Sequence, residues 1–229
     1  MDKPKAIFCI ICFLFLVGCE QKTDEAMAYE QDGELLHEEK AEILERMSVP
    51  QKEESERVLT NGEQIVAEME NNERFHEFQV PTGRYTIVDG GGSAGNVSVH
   101  NEAGELLFHD ILYGPPFAPY EITVTIDETD TISFDGFDIL LLTPFPKEFT
   151  ATISSGIWEV GLDIEPGTYQ IIPTMPGIAT IELFSEEAEP RVYEVIGDEV
   201  EGATITLSLE EGDILRVTGM SGIMLEGVK

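Results

Sequence analysis

An internal repeat is the feature of this 229-residue sequence that most restricts its fold. Four blocks recur in the same order, each separated from its counterpart by 82 to 84 residues. Segment 78–87 matches segment 162–171, and segment 122–126 matches segment 205–209. Matched blocks in a constant order and at a nearly constant separation predict a duplicated domain.

The repeated blocks have the pattern of short antiparallel strands. Ile122, Val124 and Ile126 alternate with threonines, and the matching segment 205–209 alternates in the same way. Alternation of this kind predicts strands with one buried face and one solvated face. Turn residues such as Glu211-Gly212-Asp213 separate the strands and predict tight hairpins.

A glycine followed two residues later by a tyrosine marks the first strand of each repeat. Gly83 precedes Tyr85, and Gly167 precedes Tyr169. We expect each tyrosine ring to cap a core with its hydroxyl at the rim. Pro166 before Gly167 predicts a type II turn, in which the glycine takes a positive φ.

These patterns predict a mainly β protein of two tandem, similar antiparallel units, each a sandwich or a partly open barrel, preceded by a partly helical acidic stalk. The predicted boundaries are a signal peptide over 1–18, an acidic, partly helical or disordered tether over 19–74, β repeat 1 over 75–148 and β repeat 2 over 149–229. A β unit of only about 75 residues is marginally stable alone. We therefore expect the two units to pack on each other or to share strands.

Segment 158–169 reads WEVGLDIEPGTY. The pattern W-x-V-G-x-D-I-x-P-G-x-Y, with a later Gly-Asp before a strand, resembles a β module of uncharacterised, mainly Gram-positive surface lipoproteins. Repeat 1 departs from the pattern, since the constant separation places Arg74 opposite Trp158 and Glu77 opposite Gly161. The resemblance implies a location and a fold.

The first nineteen residues have the organisation of a signal peptide. Lys3 and Lys5 precede an apolar run over 6–17, which is too short to span a bilayer as a helix. The run ends in Leu16-Val17-Gly18-Cys19, which resembles the lipobox of bacterial lipoproteins. The resemblance implies cleavage before Cys19, a diacylglycerol on its sulfur and a cell-membrane protein facing the extracytoplasmic side. An ordinary secretory signal with a chance cysteine is the alternative.

The charge of the chain excludes several classes of partner. Its 13 basic and 45 acidic residues give a formal charge of -32. Nucleic acids and anionic lipid surfaces require basic patches, so neither is a predicted partner.

The segment before the repeats is acidic and without strand-like runs. Its apolar residues fall near helical spacing in two groups, namely Leu36, Ile43, Leu44 and Met47, and then Ile65, Val66 and Met69. Two interpretations follow: a solvated spacer, or helices that dock on a partner or on the β region.

Segment 112–120 is unlike the rest of the chain, because it holds three aromatic residues and three prolines. The aromatic residues are Tyr113, Phe117 and Tyr120, whereas the matching segment 196–201 of repeat 2 is acidic. One interpretation is a rigid loop that covers a sheet edge or fills the joint between the units. The other is a recognition surface for an envelope protein or a glycan.

Catalytic and metal signals are weak. His100 and His109 have no nucleophile pattern beside them, so no catalytic residue is predicted. Clustered acids suit Ca²⁺, but their spacing fits no known calcium loop and turn acids are the favoured explanation; they are Asp127, Glu128, Asp130, Asp135 and Asp138. No cofactor is predicted apart from the lipid on Cys19. The sequence thus favours a membrane-anchored binding or structural module of the cell envelope. The alternative is an accessory subunit or enzyme that acts on an extracellular polymer.

Overall fold

The protein is mainly β, as predicted. The computed structural model describes residues 62–69, 74–146, 149–184, 190–197 and 205–228, and within these ranges it contains sixteen strands and no helix. The strands are β1 Ile65–Glu68, β2 His76–Phe78, β3 Gly83–Asp89, β4 Gly95–His100, β5 Leu106–Leu112, β6 Glu121–Ile126, β7 Thr131–Asp135, β8 Ile139–Pro144, β9 Thr152–Ile153, β10 Ser155–Glu159, β11 Gly167–Pro173, β12 Ile178–Phe184, β13 Pro190–Gly197, β14 Ile205–Leu209, β15 Ile214–Thr218 and β16 Ile223–Gly227. Within the described ranges no helix is long and apolar enough to cross a bilayer.

The strands form three sheets. One sheet has eight strands in the order β1-β8-β3-β6-β10-β15-β12-β13, and two sheets have four, in the orders β2-β7-β4-β5 and β14-β11-β16-β9. Paired strands are antiparallel throughout, with the exception of β6 and β10, which run parallel at the centre of the large sheet. This central pair divides the large sheet into two halves.

Each half of the chain builds two four-stranded layers. In the N-terminal unit, formed by β1–β8, the layers are β1-β8-β3-β6 and β2-β7-β4-β5. In the C-terminal unit, formed by β9–β16, the layers are β9-β16-β11-β14 and β10-β15-β12-β13. The strand order of one unit becomes that of the other when eight is added to each strand number.

Each unit encloses its own hydrophobic core between its two layers. In the N-terminal unit, Ile87 of β3 and Phe134 of β7 are fully buried in one cluster. In the C-terminal unit, Ile171 of β11 and Leu215 of β15 lie in a second cluster, together with Trp158. Strand β4 shows the expected alternation of buried and half-buried residues, because one of its faces is turned to the core.

The segment around Ile65 differs from the prediction. Its apolar spacing predicts part of a helical tether, but Ile65–Glu68 forms β1 and pairs with β8 along the edge of the large sheet. Ala67 is buried against the N-terminal core. The prediction was wrong because four residues cannot distinguish the two periods, and strand pairing then decides the conformation. The other residues of the predicted stalk up to residue 61 lie outside the described ranges.

The strand register also changes the alignment of the two repeats. Phe78 pairs with Ile132 of β7, and Trp158 pairs with Leu215 of β15, at equivalent points of the two ladders. Phe78, rather than Arg74, is therefore the counterpart of Trp158. The chain needs seven residues from Phe78 to Tyr85 but eleven from Trp158 to Tyr169, so repeat 2 carries four extra residues in this connection.

The two tyrosines make the same hydrogen bond in the two units. The Tyr85 hydroxyl donates to the carbonyl of Pro81 at 2.8 Å, and the Tyr169 hydroxyl donates to the carbonyl of Glu165 at 2.8 Å. Tyr85 is buried, while Tyr169 is half-buried. Each hydroxyl thus ties the first core strand to the turn four residues before it.

Gly167 acts differently from the prediction. Gly167 has no positive φ, so Pro166 and Gly167 do not form the predicted type II turn. A Cβ on Gly167 would lie 3.2 Å from the Tyr169 ring, and the missing side chain therefore makes room for that ring. Gly83 begins β3 and pairs with Ile126 of β6.

The units are joined edge to edge. Ser155 and Gly156 of β10 pair with Ile122 and Thr123 of β6. Gly156 has a φ of 150°, and a Cβ there would lie 2.0 Å from the Thr123 carbonyl oxygen. Only glycine permits this approach of the two backbones. The joint is therefore a continuation of one sheet through both units.

Candidate functional site

The aromatic loop, residues 113–120, connects β5 to β6 at the joint between the units. Its ends are held together because the backbone N–H groups of Tyr113 and Gly114 both donate to the carbonyl of Pro119, at 2.9 and 3.1 Å. Inside the loop, the N–H of Ala118 donates to the carbonyl of Gly114 at 3.3 Å. Three prolines fix φ at their own positions and restrict the residues before them. The backbone of the loop is thus closed and stiff.

The backbone of this loop rests on the C-terminal unit. The N–H of Tyr120 donates to the hydroxyl of Ser221 at 2.8 Å. A Cβ on Gly177 would lie 3.1 Å from the carbonyl oxygen of Pro116, so the loop passes close to the turn before β12. Ala118 is buried. The loop therefore helps to fill the joint, which is the first of the two interpretations given above.

The aromatic side chains of the same loop point to solvent. Phe117 is 79% exposed, Tyr113 57% and Tyr120 47%. The rings of Tyr113 and Phe117 lie side by side, with centroids 6.1 Å apart and planes inclined by 36°. Three large rings exposed on one stiff loop form an unusual surface for a soluble domain, because scattered single exposed apolar residues are the norm.

Two further exposed apolar side chains lie on the strands beside the loop. Ile111 precedes it on β5, and Ile178 begins β12 of the other unit. Gly219, which follows β15, lies close to both of these strands. Its N–H donates to the Asp110 carboxylate of β5 at 2.8 Å, and a Cβ on Gly219 would lie 2.6 Å from the carbonyl oxygen of Ile178 on β12. Exposed apolar side chains thus occur on both units close to the joint.

Asp110 fastens this part of the joint. Its carboxylate accepts the hydroxyl of Ser155 as well as the N–H of Gly219, both from the C-terminal unit. Asp110 is buried, so these donors replace the water that the carboxylate loses. The strand that leads into the aromatic loop is therefore fixed to both units.

A half-buried carboxyl group, that of Glu121, adjoins Tyr120. Burial raises the pKa of Glu121, while a hydrogen bond from Tyr120 opposes that shift. Burial and the negative charge of Glu121 together raise the pKa of the Tyr120 hydroxyl. The ionised form of Glu121 is thus poorly solvated where it lies beside Tyr120.

Turn hydrogen bonds occupy several of the acids that suggested calcium. An oxygen of Asp130 accepts the N–H of Asp127 at 2.9 Å, and its counterpart Asp213 accepts the N–H of Glu210 at 2.8 Å. Asp135 accepts the side-chain amide of Asn96 at 2.8 Å. Among the residues that the structure describes, no three His, Cys, Asp or Glu side chains are grouped so that they could hold a metal ion.

Sequence reasoning missed the buried ion pair across the joint. The Arg84 guanidinium lies 3.1 Å from the Asp163 carboxylate, at 5% and 0% exposure, and 4.9 Å from the centre of the Trp158 ring. Arg84 departs from its counterpart in repeat 2, the exposed Thr168, and that departure is the one signal in the sequence that could have drawn attention to it.

The comparisons with known proteins do not extend these findings. No family model matches the chain, and a search of curated proteins finds no significant match. Cys19 lies outside the described residues.

Proposed function

We propose that this protein is a lipid-anchored, extracytoplasmic binding module of the cell envelope, and that the aromatic loop is its contact surface. The observation that carries the proposal is the contrast between the backbone of the loop and its aromatic side chains. Its backbone is fixed at the joint, while Tyr113, Phe117 and Tyr120 remain exposed. Rings held in place before binding lose little conformational entropy when a partner covers them.

The comparison of the two units supports a role beyond folding. Both units have the same strand order, which supports an origin by duplication. The segment that matches the aromatic loop in repeat 2 is acidic and contains no aromatic residue. The fold therefore does not require aromatic side chains at this connection, and their retention on the surface is explained by contact with a partner.

The anchor in this proposal rests on the sequence of the first nineteen residues. A diacylglycerol on Cys19 carries two acyl chains, which anchor a protein firmly where one chain would be marginal. We expect a Cys19→Ser variant to leave the membrane fraction or to remain unprocessed, whereas the parent stays with the membrane. Fractionation and mass measurement of the mature chain provide the test. A processed, membrane-bound variant would exclude the lipobox interpretation.

The binding role is tested with the double variant Phe117→Ala/Tyr120→Ala. The full chain in its Cys19→Ser form, which carries no lipid, is incubated with purified envelope from the source cells and sedimented, so that the bound fraction reports protein contacts and not insertion of the lipid. We expect the double variant to keep the thermal midpoint and circular dichroism of the parent but to lose binding. Phe149→Ala is the control, because Phe149 is also exposed but lies outside the loop. Equal binding by the parent and the folded double variant would refute the proposed surface.

A further inference from the structure

The N-terminal unit presents an acidic surface that contains almost no fixed positive charge. No lysine or arginine occurs between Arg84 and Lys147, while this stretch contains ten Asp and Glu residues. Arg84 itself is 5% exposed and paired with Asp163. Asp110 and Asp130 are buried, and the other eight acids give the N-terminal unit a negatively charged surface, which attracts cations and repels anionic polymers.

The fold shows how this chain holds guanidinium groups. Arg84 pairs with Asp163 and lies over the Trp158 ring, at 4.9 Å from its centre. Arg216 pairs with Glu182 and lies over the Phe184 ring, at 5.0 Å. Each of these two guanidinium groups thus has a carboxylate partner and an aromatic face, a combination that adds a cation–π attraction to the ion pair.

The aromatic loop offers the same two kinds of group at the surface. Tyr113, Phe117 and Tyr120 supply exposed aromatic faces, and Glu121 supplies a carboxyl group directly after Tyr120. Burial raises the pKa of Glu121, so its ionised form would gain from a cation placed beside it.

We propose that the aromatic loop binds a basic segment of a partner protein, whose guanidinium or ammonium groups lie on these rings and pair with Glu121. This inference rests on the proposed function and specifies the partner's chemistry. A neutral glycan could stack on the rings, but it would gain nothing from the surrounding carboxylates. The negative charge of the N-terminal unit therefore favours a basic segment over a neutral glycan as the partner.

Two synthetic peptides of equal length test the inference. One alternates glycine with arginine, and the other alternates glycine with citrulline, which keeps the planar shape but carries no charge. Binding of each peptide to the full chain in neutral detergent is measured by fluorescence anisotropy at low and physiological salt. A neutral chitin oligosaccharide is measured in the same way as a competitor.

We expect the arginine peptide to bind and the citrulline peptide to bind at least about tenfold more weakly. Phe117→Ala/Tyr120→Ala should weaken the arginine peptide about tenfold, and Glu121→Gln should weaken it severalfold. Glu102→Gln is the matched charge control. Glu102 lies in the turn between β4 and β5, about 20 Å from the loop along β5, where salt screens its charge. Its removal should change the affinity by less than about twofold.

The outcomes separate this inference from the proposed function. Equal binding of the two peptides, or equal effects of Glu121→Gln and Glu102→Gln, would overturn the inference. If the oligosaccharide binds through the loop and the arginine peptide does not, the loop remains a binding surface but its partner is a glycan. If the double variant binds the arginine peptide as the parent does, attraction by net charge explains the binding, and the inference fails. The envelope sedimentation experiment then decides the proposed function on its own.

Discussion

At the scale of single residues, the pair Arg84–Asp163 links the two units through side chains. Arg84 lies beside Tyr85 on β3, and the two side chains point to opposite faces of the strand. Tyr85 enters the N-terminal core, while Arg84 reaches the C-terminal unit. Asp163 comes from the connection that is four residues longer in repeat 2, and its carboxylate also accepts the N–H of Glu159 at 2.9 Å. The extra residues thus supply the counter-ion for Arg84.

We expect Asp163→Asn to lower the free energy of unfolding by about 3 kcal/mol, because it leaves a buried guanidinium without its counter-ion. Urea denaturation of the full chain provides the measurement. The double variant Arg84→Met/Asp163→Asn should be more stable than Asp163→Asn alone, since it carries no uncompensated charge. If the double variant lost the sum of the two single effects, the coupling between the residues would be absent.

Glu121 gives a prediction about pH. Burial raises the pKa of Glu121 in the folded protein above its ordinary value, so the folded state holds this proton more tightly than the unfolded state. The contribution of Glu121 to stability is therefore most favourable below the unfolded pKa and decreases as the pH rises through the folded pKa. Glu121→Gln should raise the thermal midpoint at pH 7 and leave it nearly unchanged at pH 4, relative to the parent. A larger gain at pH 4 than at pH 7 would contradict the assigned direction.

Residues inside one repeat could be predicted better than residues that act across the joint. Tyr85 and Tyr169 were placed at equivalent points because each lies in a block that occurs twice. Arg84 and Asp163 are 79 positions apart, and nothing in the repeated blocks pairs one with the other. The sequence left two interpretations of the aromatic loop for a similar reason, since sequence alone cannot show which part of a loop faces a neighbouring unit.

At the scale of strands, the decisive contact is the short parallel pairing of β6 with β10. Gly156 allows it, because any Cβ at this position would overlap the Thr123 carbonyl oxygen. Short pairings between edge strands are weak when they depend on few hydrogen bonds, but here Asp110 and Arg84 add side-chain contacts across the same boundary.

We expect Gly156→Ala to destabilise the protein by at least about 2 kcal/mol, because it combines a positive φ with overlap against backbone that cannot move away. Gly104→Ala is the control. Gly104 also has a positive φ, of 79°, but a Cβ there would meet nothing within 4 Å. Chemical denaturation of both variants should therefore show a clearly larger loss for Gly156→Ala. Equal losses would mean that backbone conformation alone is responsible.

At the scale of the whole molecule, two hydrophobic cores share one continuous sheet. The repeat predicted two units, and their small size predicted that neither would stand alone. Sequence could not show how they associate, because the joint depends on one glycine and on contacts that occur once in the chain. The edge-to-edge arrangement couples the cores through β6 and β10.

We expect this coupling to produce a single cooperative unfolding transition of the two units. The only tryptophan of the chain, Trp158, lies in the C-terminal core, so its fluorescence reports that unit. Amide hydrogen exchange of Val97 and Phe134, on β4 and β7, reports the N-terminal unit. The free energies obtained from the two probes should agree. Two separate values would show that the units unfold independently.

Gly156 at the joint also affects whether the same strand pairing can form between two molecules. In the N-terminal unit, the residue that occupies the position of Gly156 is His76, which pairs with Phe134 as Gly156 pairs with Val217. In the C-terminal unit, β14 is the counterpart of β6 and ends its sheet. A second chain offering β2 to this β14 would bring the Cβ of His76 into the space that the joint leaves only for a hydrogen atom. The contact that unites two units within one molecule is therefore disfavoured between two molecules, because a joint made by β2 and β14 would lack the glycine.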